Sequence, residues 1–263
     1  MTTLALRMVQ RNALVYRRVW RGSVFSNFLQ PTLFLIAIGV GLGSMIDAGG
    51  AALPGVAALP GGVGFLQFLA PGLLAAAAMQ TASFESSYPI LGKITWHRNY
   101  EAISATPMRV ADIVLGELAW MAIRLTMVAV AFTAVLMAFG IPRSMLTLLA
   151  IPAAVLTGLA FSAPIMAWAA TLKNSANFNV IFRFGITPLF LFSGVFFPVT
   201  RMPQWAQRAA WLTPLFHGVE LVRGLTLGTL ESPAWMIHVS YLAAMLAIGT
   251  LAALRTFRRR LLS

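Results

Sequence analysis

Residues 191–228 read LFSGVFFPVTRMPQWAQRAAWLTPLFHGVELVRGLTLG, and the interpretation of the whole chain starts from them. The stretch opens as an apolar helix, which three prolines then interrupt: Pro198, Pro203 and Pro214. Each proline removes a backbone donor, and a bilayer tolerates such breaks only where protein or water satisfies the freed groups. The pattern therefore predicts a membrane helix that ends near Pro198, followed by a re-entrant helical hairpin over residues 199–230.

A polar stripe follows the last of these prolines. His217, Glu220 and Arg223 recur every three residues, so a helix that starts near residue 215 presents all three on one side. We predict that these residues line a path through the membrane. Two interpretations of His217 remain open, because it can act as a structural donor within the turn or as a partner of Glu220 at the exit of that path.

The composition is that of an integral membrane protein. Hydrophobic residues make up 59% of the chain, charged residues make up 10%, and the mean hydropathy is +0.81. This leaves too little polar surface to coat a soluble globule. The net charge of +12 does not predict nucleic-acid binding, because the basic residues gather where loops meet apolar segments. The absence of cysteine excludes disulfides and thiolate chemistry.

Two groups of residues carry a resemblance to a known family. The first group consists of residues 186–188, residues 191–198, Pro203, Pro214, Leu215, His217, Arg223 and Gly228. The second group consists of residues 81–85, Tyr88, residues 112–117 and Trp120. In these residues the sequence resembles the type-2 ATP-binding-cassette (ABC) exporter permeases, and among them the nodulation protein J-like branch. The resemblance implies a single transmembrane domain, residues 1–263, that works with a separate ATPase subunit and a second permease copy.

Hydropathy predicts an all-α membrane protein with six transmembrane helices, since a hydrocarbon core about 30 Å thick requires about 20 apolar residues. The predicted ranges are 24–46, 65–87, 110–139, 145–171, 178–198 and 234–256. Residues 1–22 place apolar side chains at helical spacing with arginines on other faces, which predicts an amphipathic helix in the inner membrane interface. A charged tail that only sets the topology is the alternative for this segment.

Residues 88–109 form the longest polar stretch between two predicted spans. Trp96 and Tyr100 lie at i and i+4, which predicts a short amphipathic helix within it. The family resemblance implies that this stretch is a cytoplasmic coupling loop, in which Trp96, Arg98, Tyr100 and Glu101 contact the ATPase. A helix that rests on lipid head groups is the alternative.

Arg124 stands near the middle of the third predicted span. An arginine in that position costs about 2.5 to 3.5 kcal/mol on insertion scales, so it is expected to face protein, water or a phosphate. One interpretation is a binding point for an anionic head group on the cargo. The other is an arginine that reaches toward the inner surface or pairs with Glu117 or Glu85.

The distribution of positive charge predicts the orientation of the chain. The segments on one side of the predicted spans carry thirteen Lys and Arg residues, and the segments on the opposite side carry four. Because cytoplasmic loops are the more basic ones, both termini are expected in the cytoplasm of a bacterium, with the chain crossing its inner membrane several times.

The search for catalytic motifs finds none. The sequence contains no GxxxxGK[ST] phosphate loop, no HExxH and no GxSxG, and its histidines are widely spaced. We therefore expect no enzyme activity, cofactor or metal in this chain, and the resemblance assigns ATP and Mg to the partner ATPase. The predicted function is the permease subunit of an ABC exporter for an amphipathic cargo, either a lipooligosaccharide or a hydrophobic drug. A stand-alone ion-coupled carrier is the alternative, although Glu85 and Glu117 lie toward the inner ends of their spans rather than at the midplane.

Overall fold

The computed structural model describes residues 3–18, 20–22, 29, 32–37, 64–96, 99–104, 106–230 and 233–262. The predicted first span, 24–46, lies outside these ranges except for residues 29 and 32–37. His97 and Arg98 also lie outside the described residues, as does the side chain of Glu101.

Helices account for the regular structure of the described ranges, which contain no strand. The α-helices are α1 (Thr3–Tyr16), α2 (Phe65–Glu85), α3 (Tyr88–Thr95), α4 (Asn99–Ser104), α5 (Val110–Ala138), α6 (Ala150–Ala169), α7 (Ala176–Ile181), α8 (Thr187–Phe192), α9 (Gln204–Trp211), α10 (Pro214–Leu227) and α11 (Ala234–Leu262). A 3₁₀ helix (Met145–Leu149) leads into α6, and a π-helix (Phe182–Ile186) joins α7 to α8. A second 3₁₀ turn (Val199–Arg201) precedes α9.

Four of the described helical stretches are long and apolar enough to cross a membrane. They are Phe65–Thr95, Val110–Ala138, Met145–Ala169 and Ala234–Leu262. A shorter apolar stretch, Ala176–Phe192, corresponds to the predicted fifth span. The chain is therefore an all-helical, multi-pass membrane protein, while the count of six spans stays a prediction.

Helix α6 lies in the middle of the bundle, where it packs against α2, α5, α10 and α11. Small residues allow these helices to approach closely, as is usual between membrane helices. At the contact between α6 and α11, a Cβ added to Gly249 would lie 2.5 Å from Cδ of Pro164. Glycine at position 249 is thus required by the crossing of the two helices.

The structure corrects the predicted end of the fifth span. The sequence predicts that this helix continues to Pro198, whereas α8 ends at Phe192. Gly194 follows in a left-handed conformation with φ of +81°, which ends regular helix without the strain that a side chain would cause. The chain therefore leaves the helix before it reaches Pro198, because glycine permits the turn and a buried arginine binds the freed carbonyl groups, as described below.

The last helix is longer than predicted. The sequence predicts an end at residue 256, but α11 continues to Leu262. Phe257 is fully buried against the rest of the bundle, while Arg255, Arg258 and Arg259 are exposed. The buried ring holds the final turns in place, and the arginines around it are solvated without ending the helix.

Candidate coupling and cargo sites

A buried carboxylate, Glu117 of α5, organises one end of the bundle. The two carboxylate oxygens lie 2.7 and 2.8 Å from Nζ of Lys93. They also accept hydrogen bonds from the hydroxyl of Tyr100 at 2.9 Å and from Nδ2 of Asn12 at 3.1 Å. A charge that is only 4% exposed requires such partners. The result is a polar network, Asn12–Lys93–Tyr100–Glu117, that joins α1, α3, α4 and α5.

The residues predicted to contact an ATPase have different surroundings. Trp96, which follows α3, is 65% exposed, whereas Tyr100 of α4 is completely buried and packs against Phe257. Burial, and then the neighbouring carboxylate, raises the pKa of Tyr100 well above its ordinary value of 10.0, so its hydroxyl stays a donor. Trp96 and Tyr100 do not share one exposed surface, because Trp96 lies at the end of α3 while Tyr100 lies in α4, where its hydroxyl binds Glu117 in the interior. Arg98 and the side chain of Glu101 lie outside the described residues.

Arg124 is buried and paired. Its Nη2 donates to Oε1 of Glu85 at 2.8 Å, and its guanidinium carbon lies 4.4 Å from the centre of the Tyr16 ring. The sequence indicated either Glu117 or Glu85 as a partner of Arg124. In the structure Arg124 pairs with Glu85, and Glu117 binds Lys93 instead. Nη1 of Arg124 is buried without a hydrogen-bond partner among the described residues.

Arg223 connects its own helix, α10, to α2 and to the turn after α8. Its Nε donates to the carbonyl oxygen of Phe68 at 3.1 Å, and its Nη2 donates to the carbonyl oxygen of Gly194 at 2.7 Å. Its Nη1 donates to Oε1 of Glu220 at 3.1 Å, and the guanidinium lies over the Phe68 ring at 3.8 Å. Arg223 therefore stabilises the turn after α8 against α2, which is the arrangement that ends the fifth apolar helix early.

An open cavity of about 380 Å³ lies beside Glu220 and Arg223. Aromatic and hydrogen-bonding side chains share its wall, among them Trp211, Phe216, Thr200 and Gln207. The side chain of Glu220 is 40% exposed, so one of its oxygens is available to a ligand. Aromatic faces beside carboxylate and amide groups suit an amphipathic molecule with apolar and hydroxyl-rich parts. We call this space the outer cavity.

His217 does not pair with Glu220. Its Nδ1 lies 2.8 Å from Nδ1 of His238 in α11, and its Nε2 lies 2.9 Å from the carbonyl oxygen of Trp211. Because a carbonyl only accepts, Nε2 carries a proton, and a neutral His217 accepts at Nδ1 from the N–H of His238. The ring also stacks on Tyr241 at 4.1 Å. His217 thus joins α10 to α11 at the edge of the outer cavity, while Glu220 pairs with Arg223.

Sequence reasoning missed several partners of the residues it selected. Lys93 could have been found, because a carboxylate such as Glu117 within an apolar span needs a nearby cation and Lys93 lies at the same predicted end. Asn12 and His238 gave no such signal. Asn12 lies 105 residues from Glu117 along the chain, and His238 lies 21 residues from His217. Only the tertiary packing of the helices brings each pair together.

These features define a class of protein: a multi-pass helical membrane protein with a polar network at one end of the bundle and an open amphipathic cavity elsewhere. The family model described as ABC-2 type transporter matches residues 3–227. The chain belongs to this family, which confirms the resemblance seen in the sequence, and it is accordingly a permease of an ABC transporter.

Several curated relatives carry the description nodulation protein J. The protein from Rhizobium leguminosarum bv. trifolii is 32% identical over 253 residues, covering 96% of this chain and 92% of the relative. The protein from Rhizobium meliloti is 30% identical over 255 residues, with the same two shares covered. The protein from Azorhizobium caulinodans is 28% identical over 244 residues, covering 91% of each chain. The similarity thus extends over nearly the whole length of both proteins.

Proposed function

We propose that this chain is the membrane-spanning subunit of an ATP-driven exporter that moves an amphipathic cargo, a lipooligosaccharide or a hydrophobic drug, out of the cytoplasm or the inner leaflet. The observation that carries this proposal is the outer cavity, which combines aromatic faces with the partly exposed carboxylate of Glu220. The full-length similarity to nodulation protein J supports the assignment as a permease of an ABC transporter.

The cargo path would involve the selected residues in different ways. Glu220 contacts cargo directly in the outer cavity, and Arg223 keeps that carboxylate and the neighbouring turn in position. His217 fixes α10 against α11. Arg124 lies in α5, away from these residues in the sequence. Its Nη1, which has no hydrogen-bond partner among the described residues, would bind an anionic group on the cargo.

Energy would come from a partner ATPase that binds ATP and Mg, together with a second permease copy. Trp96 supports this assignment, because an exposed tryptophan beside a structured polar network is suited to anchor a partner surface. The excess of positive charge favours an orientation with Trp96 and both termini in the cytoplasm of a bacterial cell, the chain lying in its inner membrane and α1 at the membrane interface.

The stand-alone carrier finds no support in the described part of the chain. A proton-coupled carrier requires a carboxylate that can take up and release a proton near the midplane. Glu85, Glu117 and Glu220 are each paired with a basic residue, at 2.8, 2.7 and 3.1 Å. Each of these three carboxylates is therefore engaged in an ion pair, which is not the arrangement expected of a free proton carrier.

Inside-out membrane vesicles containing the permease and its co-expressed ATPase test the proposal. ATP should drive uptake of a labelled lipooligosaccharide, and Trp96→Ala should weaken ATPase binding about thirty-fold, since a tryptophan anchor contributes about 2 kcal/mol. Trp205→Ala is the matched control, because Trp205 is 74% exposed and lies in the predicted re-entrant region. Uptake that follows a proton gradient without ATP would contradict the exporter and support the carrier.

A further inference from the structure

An open groove of about 500 Å³ lies between the start of α5 and the end of α11. It is lined by Met108, Arg109, Val110, Ala111, Leu254, Arg258 and Leu262. We call it the basic groove. It is separate from the outer cavity and from the network around Glu117, with which it shares no lining residue.

The walls of the basic groove combine two positive charges with apolar surface. Leu254, Arg258 and Leu262 recur every four residues, so they form one stripe along α11. Arg109 faces them from the residue that precedes α5, and both arginines are exposed. Among the residues that the structure describes, no carboxylate lines the groove. The nearest acidic residue along the chain, Asp112, is buried and accepts from the backbone N–H of Arg109 at 3.0 Å.

The backbone adds to this positive potential. Val110 and Ala111 are the first residues of α5, which is 29 residues long. The first N–H groups of a helix have no acceptor within the helix, and they lie at the positive end of its dipole. An anionic oxygen between Arg109 and Arg258 would therefore be favoured by two guanidinium groups and by the start of a long helix.

The position of the groove identifies its occupant. Both helices are among the four long enough to cross a membrane, and the groove lies at an end of each, where lipid head groups are found. Of the four spans, Ala234–Leu262 is the least covered by protein, with 22% of its apolar window buried. Arg258 and Leu262 are themselves exposed, so the stripe is accessible from outside the bundle.

We propose that the basic groove binds the phosphate of an anionic phospholipid, with Arg109 and Arg258 on the head group and the leucines of α11 against the first part of an acyl chain. This lipid is a resident of the permease rather than its cargo. The site does not depend on which molecule the exporter moves, and its volume is within the range of specific ligand sites.

Binding of two lipids that differ only in head group tests the proposal. The purified, delipidated permease is titrated with dioleoyl phosphatidylglycerol or dioleoyl phosphatidylcholine, and bound lipid is counted by native mass spectrometry. Each arginine near a membrane surface contributes about a five-fold preference for an anionic lipid, so the wild type should prefer phosphatidylglycerol by about thirty-fold. Arg109→Gln/Arg258→Gln should bind both lipids equally.

Two further variants separate charge from folding. Arg255→Gln/Arg260→Gln removes the same charge from the same end of α11 without touching the groove, and it should keep the preference. Arg258→Lys should also keep most of it, because the charge remains. Circular dichroism checks that all variants retain their helix content.

Three results would overturn the proposal. The wild type could bind the two lipids equally, or the groove variant could keep the full preference, or the control pair could lose the preference as completely as the groove variant. A groove variant that keeps its lipid preference but no longer retains the ATPase during purification would instead make this surface part of the ATPase interface.

Discussion

Replacing Lys93 with methionine should destabilise the protein through Glu117. Glu117 is 4% exposed, and within the described residues Lys93 is the hydrogen-bond partner that brings it a full positive charge. Removing one member of a buried ion pair typically costs 3 to 5 kcal/mol, because the remaining charge is left in a poor environment. The side chain of Lys93 is itself 21% exposed, and Tyr100 and Asn12 continue to donate, so the cost should be about 3 kcal/mol.

Thermal unfolding in a mild detergent, followed by tryptophan fluorescence, measures this effect. A loss of about 3 kcal/mol corresponds to a decrease in Tm of roughly 6 to 12 °C for a domain of this size. Lys93→Met/Glu117→Met should recover much of the loss, since removing both charges leaves nothing unpaired. A single variant that unfolds within 1 to 2 °C of the wild type, or a double variant that is less stable than the single one, would contradict a stabilising role for this ion pair.

Three further changes test the cargo path and the histidine pair. Glu220→Gln should lower export while the protein still folds, because Arg223 keeps its bonds to the Phe68 and Gly194 carbonyl groups; normal export in vesicles would make Glu220 a structural partner only. Arg124→Leu should reduce export of an anionic cargo at unchanged protein level, whereas wild-type export would leave Arg124 with a purely structural role toward Glu85. Burial lowers the pKa of His217 below its ordinary value of 6.5. As the pH falls, this histidine is therefore protonated in the unfolded state before it is protonated in the folded state, which favours unfolding. Tm should therefore be highest above pH 6.5 and decrease below it. His217→Asn should make the decrease of Tm with pH shallower. An unchanged pH dependence of Tm would contradict this role of His217.

The apolar helices were predictable from sequence because their starts depend on local composition. The predicted spans beginning at residues 65, 110 and 234 correspond to helices that start at those residues. Hydropathy measures the transfer of side chains into an apolar medium, and that quantity depends little on the neighbouring helices. The predictions fail where contacts between distant parts of the chain determine where a helix ends. The early end of α8 depends on Gly194 and on Arg223, which approaches from 29 residues further along the chain.

The sequence indicates which charged residues need a partner, but not which residue that partner is. A charge inside an apolar helix indicates by itself that a partner must exist, which is why Arg124, Glu117 and Arg223 stand out. The identity of each partner requires the packing of helices that are distant in sequence. Tyr100 illustrates the limit, since its helical spacing from Trp96 suggested a shared surface and its hydroxyl instead binds a buried carboxylate.

The two ends of the bundle are connected by α2 and α3, which follow each other with a two-residue turn between them. Near its start, the carbonyl oxygen of Phe68 is held by Arg223, which also holds Glu220 at the outer cavity. Near its end, Lys93 binds Glu117, three residues before the exposed Trp96. The stretch Phe65–Thr95 contains only a short turn at residues 86 and 87, and Ser86 there bonds to Ser162 of the central helix α6 at 2.7 Å. Because only this short turn separates α3 from α2, we expect that a partner that displaces α3 at Trp96 also shifts the backbone to which Arg223 is bound, and with it the shape of the outer cavity.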